Sequence, residues 1–243
     1  KDYFIDQSDG LFELDFDVVG PVTLSKPRAF YGGGLYYKTS RFSFSFSTLS
    51  SSDILAGFMV NEAITKAKDT NKADGTAVNF SDYDWDGDGE AEVVYVIYAG
   101  QGEADGGDTW TIWPHKSSLA SQASVVDQIR SIMSQYSSYY FYYKKGSGTT
   151  STNYTQIKLT DIPAFTAPTY NDTYIDTYAC SNELATNLTY NSSSGNYTTN
   201  GTQLNGIGTI CHEFSHTMGY PDMYDVDYSC DGVQMGEWDL MNS

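Results

Sequence analysis

His212-Glu213-Phe214-Ser215-His216-Thr217-Met218-Gly219-Tyr220-Pro221-Asp222 dictates a local fold before any other part of the chain does. Two histidines four residues apart lie on one face of a helix, so both imidazoles can reach a single metal ion. Glu213, beside the first of them, can point at a water on that ion. Gly219 ends the helix, because glycine takes the left-handed conformation with no side-chain penalty. Pro221 forbids the helix to resume, and the chain bends back to present Asp222 as a third ligand. The pattern predicts a zinc site held by His212, His216 and Asp222, with Glu213 as its catalytic carboxylate, on a helix spanning roughly 205–218.

Two rival readings of the same residues compete with this one. An amphipathic helix carrying two satisfied core histidines gives Glu213 no reason to face the same interior. A third ligand supplied by a glutamate about twenty residues beyond the second histidine is sharper, since Glu237 lies twenty-one residues beyond His216. That arrangement needs a second helix to carry the glutamate. Gly219 and Pro221 break the chain at once, and 225–238 contains Gly232 and Gly236 with no helical stripe. Asp222 is therefore the expected ligand. Met241, in Trp238-Asp239-Leu240-Met241 and nineteen residues past Asp222, reads as a methionine turn beneath the metal. His115, in Thr111-Ile112-Trp113-Pro114-His115, reads first as packing, with a distal ligand or transition-state donor as its functional reading.

A second metal motif runs from Asp84 to Glu92. Carboxylates at the first, third and fifth positions followed by a glycine fold a tight loop around a hard cation. Asp84, Asp86, Asp88, the Glu90 carbonyl and Glu92 can supply most of the oxygens that calcium wants. The continuation departs from a helix-loop-helix calcium hand, because the twelfth position falls on Tyr95 in an apolar run. The expectation is a structural calcium loop that launches a strand. An acidic hairpin turn is the competing reading, since Asp and Gly are turn residues in any case.

The charge balance bounds the partners. Asp plus Glu total 31 against 13 Lys plus Arg, a formal net charge of −18. No basic stripe is present for nucleic-acid phosphates, and an anionic membrane surface would repel the chain. No apolar run approaches the ~20 residues of a membrane helix. Cys180, Cys211 and Cys230 are an odd count without metal-binding spacing, so one disulfide or none is open. Asn-x-Thr/Ser triplets such as Asn187-Leu188-Thr189 and Asn196-Tyr197-Thr198 mark solvated loops. Lys1 is not an initiator methionine and Ser243 closely follows the last motif, so the chain reads as a piece of a longer precursor.

Periodicity predicts the framework. Leu11 to Val18 alternates apolar and acidic residues at period two, as in a strand. The Ser/Phe alternation of 42–47 suggests an edge strand. Residues 52–68 read as a helix capped by Ser51 or Ser52, with Ile54, Leu55, Phe58, Met59, Ala63, Ile64 and Ala67 as its stripe. Residues 92–98 are the kind of apolar run buried in a sheet. A further helix is expected over 124–137, strands over 139–143 and 154–159, and a polar surface loop over 186–203. Nothing forces a boundary between independent domains.

His212 to Asp222, Met223-Tyr224-Asp225 and the Trp-Asp-Leu-Met turn together resemble the immune inhibitor A family of secreted bacterial zinc metallopeptidases, in the style of Bacteroidetes members. The resemblance extends upstream to Asp2-Tyr3-Phe4-Ile5, Ser8-Asp9-Gly10, Gly20-Pro21-Val22, the Asp84–Glu92 loop, Val96-Ile97-Tyr98-Ala99-Gly100 and Trp113-Pro114-His115. It implies an α+β, zincin or metzincin-like fold: a twisted mixed sheet, a backing helix, an active-site helix and a cleft. One catalytic domain over 1–243 follows, with an upper subdomain to about 219 and the start of a lower one over 220–243, ending at the methionine turn. The resemblance also implies His212, His216 and Asp222 as zinc ligands, Glu213 as catalytic carboxylate, protein or peptide substrates, and export behind an upstream propeptide. A hydrophobic strand ahead of Asp2 and a helix after Met241 are missing from the pattern, which predicts a chain that holds zinc but cuts slowly. The competing class is a non-catalytic, calcium-stabilised surface-binding module on a decayed peptidase fold. The presence of every metal and base residue speaks against decay.

Overall fold

The structure, a computed structural model, describes residues 1–146, 148–192, 194–225 and 239–242. Cys230, Glu237 and Trp238 lie outside the described residues. Its architecture is α+β, with five α-helices and ten strands among those residues.

Two helices fill the centre. α3 (Ala56–Ala67) buries Phe58, Met59, Val60, Ala63 and Ile64, and α4 (Leu119–Gln135) buries Leu119, Ala123, Val126, Ile129 and Met133. The i, i+3, i+4 spacing of both sets makes one apolar stripe per helix, and the two stripes meet. A Cβ at Gly57 would lie 2.3 Å from Gln122 Cβ, so glycine is what lets α3 and α4 cross this closely. Two short helices, α1 (Asp2–Gln7) and α2 (Arg28–Gly32), precede them. The last, α5 (Ile207–Thr217), carries the histidine motif.

One sheet is antiparallel, in the order β2 (Ser47–Thr48), β1 (Leu35–Lys38), β5 (Tyr140–Lys144), β6 (Tyr154–Ile157). The other is built on β9 (Thr177–Asn191). β3 (Val94–Gln101) lies parallel along one edge of β9, with Val96 opposite Cys180. On the other edge β4 (His115–Ser118) pairs antiparallel with Thr177–Cys180, and β10 (Asn196–Leu204) pairs with Leu184–Asn191. β7 (Thr169–Tyr170) and β8 (Thr173–Tyr174) form a small hairpin.

Alternation along β9 separates two layers. Tyr178 and Cys180 join the core cluster with α3 and α4. Ala179 and Ser181 are equally buried but lie outside that cluster, on the face that α5 covers. The helix of the histidine motif is therefore braced by β9 and β4.

Several sequence expectations need correction. Residues 11–18 form no strand: Leu11, Phe16 and Val18 are exposed, and only Val19 bridges a partner, Lys72. Alternation alone is insufficient where no sheet edge is offered; Asp15 and Asp17 instead pair with Lys1 and Lys72. Ser51 and Ser52 cap nothing, because Asp53 adopts a left-handed φ of 63° and α3 starts only after Leu55. α4 begins five residues ahead of 124, where the Ser118 hydroxyl accepts from Ser121 N and Asp176 accepts from Ala120 N and the Ser118 hydroxyl. β3 is an edge strand of intermediate exposure, not a buried one. The expected loop over 186–203 is the β9–β10 hairpin, paired through its backbone while its side chains stay mostly exposed.

Candidate metal centre

α5 ends as its sequence dictates. Gly219 takes φ 92°, its N–H bonds to His216 O at 3.1 Å, and Tyr220 N bonds to Ser215 O at 3.2 Å. This pair of bonds is the Schellman termination, which turns the chain sharply at a left-handed glycine. The turn does a second job. It delivers the Tyr220 carbonyl to His216 Nδ1 at 2.8 Å and sends Asp222 back over the helix.

His212 Nδ1 faces the Leu240 carbonyl at 2.9 Å, from the segment 239–242. A carbonyl only accepts, so each ring donates from Nδ1, and in the neutral ring this leaves the lone pair on Nε2. Those two Nε2 atoms are 3.2 Å apart, and Asp222 Oδ1 is 3.2 Å from each. Contacts this short would ordinarily read as hydrogen bonds or ion pairs. With both rings neutral, no proton lies between them; Asp222 Oδ1 is shielded from solvent and has no hydrogen-bond partner among the described residues.

Three lone pairs converging at that spacing repel one another unless a cation sits among them. The spacing also fits the ion in question: a point equidistant from three atoms 3.2 Å apart is about 1.9 Å from each in their plane, and slightly above it at the ~2.0–2.1 Å of zinc–nitrogen bonds. His212, His216 and Asp222 are one of two groups among the described residues able to hold a metal ion.

Glu213 is buried within α5. Burial, and then the negative charge of Asp222, push its carboxyl up to about 7. A divalent cation at the ligand set acts in the opposite direction. Met241 is buried, and its carbonyl accepts from Met223 N at 2.7 Å, which ties 239–242 to the ligand loop. The carbonyls of Leu240 and Tyr220 are the functional groups that sequence reasoning missed. Backbone atoms leave no residue signature, and only the glycine break and the methionine turn hinted at them.

The second group is Asp84, Asp86 and Asp88, whose carboxylates lie within 4.8 Å of one another. Each also accepts from the loop's own backbone: Asp84 from Gly87 N and Gly89 N, Asp86 from Asp88 N, Asp88 from Glu90 N. Glu92 instead accepts from Trp85 N at 2.7 Å, and neither Glu90 nor Glu92 joins the carboxylate group. His115 stands apart from both groups. Its Nδ1 meets the Trp113 carbonyl at 2.7 Å and its Nε2 the Tyr178 hydroxyl at 2.9 Å. With both nitrogens engaged and burial lowering its pKa, it packs as a neutral ring against β9. Cys180 and Cys211 are buried free thiols.

Residues 165–243 match the family model described as immune inhibitor A peptidase M6, catalytic domain. This C-terminal part of the chain is similar to the immune inhibitor A peptidase catalytic domain. No curated protein and no solved structure matches the chain. The immune inhibitor A match takes in β9, α5, Asp222 and Met241, whereas the Asp84–Glu92 loop and His115 lie ahead of it. A peptidase acts on protein or peptide chains, and among the described residues no helix is long and apolar enough to cross a membrane.

Proposed function

We propose that the protein is an exported bacterial zinc endopeptidase in which His212, His216 and Asp222 hold the metal and Glu213 moves the proton. The observation that carries this reading is the convergence of three candidate ligand atoms at 3.2 Å, one of them a buried carboxylate oxygen with no other partner among the described residues. When bound, zinc supplies Lewis-acid polarisation of a substrate carbonyl and lowers the pKa of water.

The chain's own residues supply the rest. His212 and His216 are locked by backbone carbonyls, so their Nε2 atoms stay aimed without rearrangement. Asp222 brings a negative charge into the ligand set where a third neutral imidazole would bring none. The Glu213 carboxylate accepts the proton of the attacking water and returns it to the leaving amine. Glu213 follows His212 on the same helix, and the charge of Asp222 acts on its carboxyl, which supports its standing beside the ligand set. Met241 is assigned as the methionine turn that supports His212 from behind through its neighbour Leu240. Export behind an upstream propeptide rests on the family likeness. The Asp84 loop is assigned a structural calcium ion, on the strength of its three gathered carboxylates.

The test separates metal holding from chemistry. Glu213→Gln is expected to retain zinc stoichiometrically, measured by atomic absorption after dialysis. Its casein hydrolysis should fall by about 10²–10⁴-fold. Hydrolysis at the parental rate would refute the mechanism. Asp222→Ala should strip zinc while Glu237→Ala leaves it bound; the reverse result would hand the third ligand to Glu237.

A further inference from the structure

The net charge of −18 conceals a segregation of sign. Residues 18–52 and 128–160 contain no Asp or Glu, yet they hold eight of the thirteen Lys and Arg. These two stretches supply all four strands of the antiparallel sheet β2-β1-β5-β6. Alternation gives that sheet two faces. Leu35, Tyr37, Phe141, Tyr143 and Ile157 belong to the core or pack against it. Tyr36, Lys38, Tyr140, Tyr142, Lys144 and Tyr154 therefore stand on the outer face. Register sets Tyr36 opposite Tyr142, Lys38 opposite Tyr140 and Lys144 opposite Tyr154.

The cations of this face meet rings, not carboxylates. Lys38 Nζ sits 4.0 Å from the centre of the Phe46 ring, and Arg41 Cζ 5.4 Å from that of Tyr140. A ring face attracts the charge but leaves most of the N–H donors unspent. Among the described residues Lys38, Arg41, Lys144 and Lys145 form no ion pair, whereas Lys1, Lys26, Lys66, Lys68 and Lys72 each form one. No carboxylate acts on Tyr142 or Tyr154. In a chain with 31 acids, a face this bare of them leaves its positive charge to be met from outside. The hydroxyls of Tyr36, Tyr140, Tyr142 and Tyr154 are equally uncommitted, with no hydrogen bond to a described residue. On the loop between β1 and Phe46, Phe42 and Phe44 are 88 % and 99 % exposed, so their rings stand open.

These groups discriminate among anions. Free cations alone suit any polyanion. Hydroxyls that both donate and accept match the hydroxyls of sugars, and open rings match the apolar C–H faces of sugar rings. A nucleic acid carries a charge on every unit, and the rest of a −18 molecule repels it. An acidic peptide engages the cations and leaves Phe42 and Phe44 in water. We propose that the outer face of this sheet binds an acidic polysaccharide in which uncharged sugars separate the carboxylates. Lys38, Arg41 and Lys144 meet the carboxylates, the tyrosine hydroxyls meet the sugar hydroxyls, and Phe42 and Phe44 pack on the ring faces. The surface shares no residue with the metal centre, so it tethers the molecule to such a polymer independently of hydrolysis.

The experiment is calorimetry on the whole chain with a hyaluronan hexasaccharide, whose glucuronates alternate with uncharged N-acetylglucosamine. Saturable binding with Kd on the order of 0.1–1 mM is expected. An uncharged hexamer of N-acetylglucosamine should bind at least ~10-fold more weakly. The double variant Lys38→Gln, Arg41→Gln should lose ~10-fold or more for hyaluronan, and added salt should weaken the parental binding. The double variant Phe42→Ser, Phe44→Ser should lose roughly 3-fold or more with no fall in Tm, because both side chains already stand in water. Equal binding of hexaglutamate would reassign the face to acidic protein, and equal binding of hexathymidylate to nucleic acid; either result overturns the proposal. So does full affinity in either double variant, equal binding of the uncharged hexamer, or no saturation by ~10 mM.

Discussion

Asp53 shows how one residue can set a pH dependence. Unfolded, an aspartate titrates near 3.9; folded, burial and Glu103 raise Asp53 to about 7. Between those values the folded chain binds the extra proton, so stability falls as pH rises through the window. Asp53→Asn removes that loss. Urea denaturation at pH 4.5 and 7.5 should find the variant gaining on the wild type by about 2–3 kcal/mol across the interval. The same difference at both pH values would show that Asp53 titrates normally. At this scale the grouping of the candidate ligands was largely legible: helical period places His212 and His216 together, and Gly219 with Pro221 returns Asp222. The partners that fix the ring tautomers were not, because carbonyls of Leu240 and Tyr220 are set by where the backbone goes.

Elements were readable where side-chain pattern decides them and obscure where backbone pairing does. The stripes of α3 and α5 and the aromatic strand β5 follow from period alone. The β9–β10 hairpin has polar residues on both faces, so its sequence looks like a loop while its hydrogen bonds make a ladder. Residues 11–18 show the converse, an alternating pattern without a partner strand. The end of α5 is the element on which function leans hardest. Gly219 sits at φ 92° with no heavy atom within 4 Å of a would-be Cβ, so space is available and conformation is the obstacle. Gly219→Ala should cost about 1–2 kcal/mol through the left-handed penalty alone. It should also weaken zinc binding roughly 10–100-fold, as loss of a ligand-orienting contact does, although residue 219 touches no metal. Competition with a zinc-chelating dye measures this. Unchanged affinity would mean that the Schellman turn does not position Tyr220 and Asp222.

Across the whole molecule, distant segments converge on α5. Phe4 of α1 packs on Phe214 with ring centroids 5.3 Å apart, and Leu240 reaches His212 from the other end of the chain. Such long-range pairings, like the order of strands around β9, are chosen by geometry that no local pattern encodes. Net charge is the property that acts on the molecule as one body. At −18 the folded chain repels itself, and any added cation raises its stability by screening. A rise in Tm with calcium therefore proves nothing until screening is subtracted. Asp86→Asn supplies the subtraction, because its carbonyl oxygen can still accept from Asp88 N while the carboxylate is gone. With sodium chloride matching the ionic strength, calcium at ~100 times its Kd should add about 2.7 kcal/mol to the wild type by mass action. That increment should vanish in Asp86→Asn. The increment from zinc should be equal in the two proteins, since His212, His216 and Asp222 are untouched. If calcium raises both proteins alike, or if magnesium does so equally well, the Asp84–Asp88 loop is an acidic turn held by its own backbone bonds, and the calcium assignment fails.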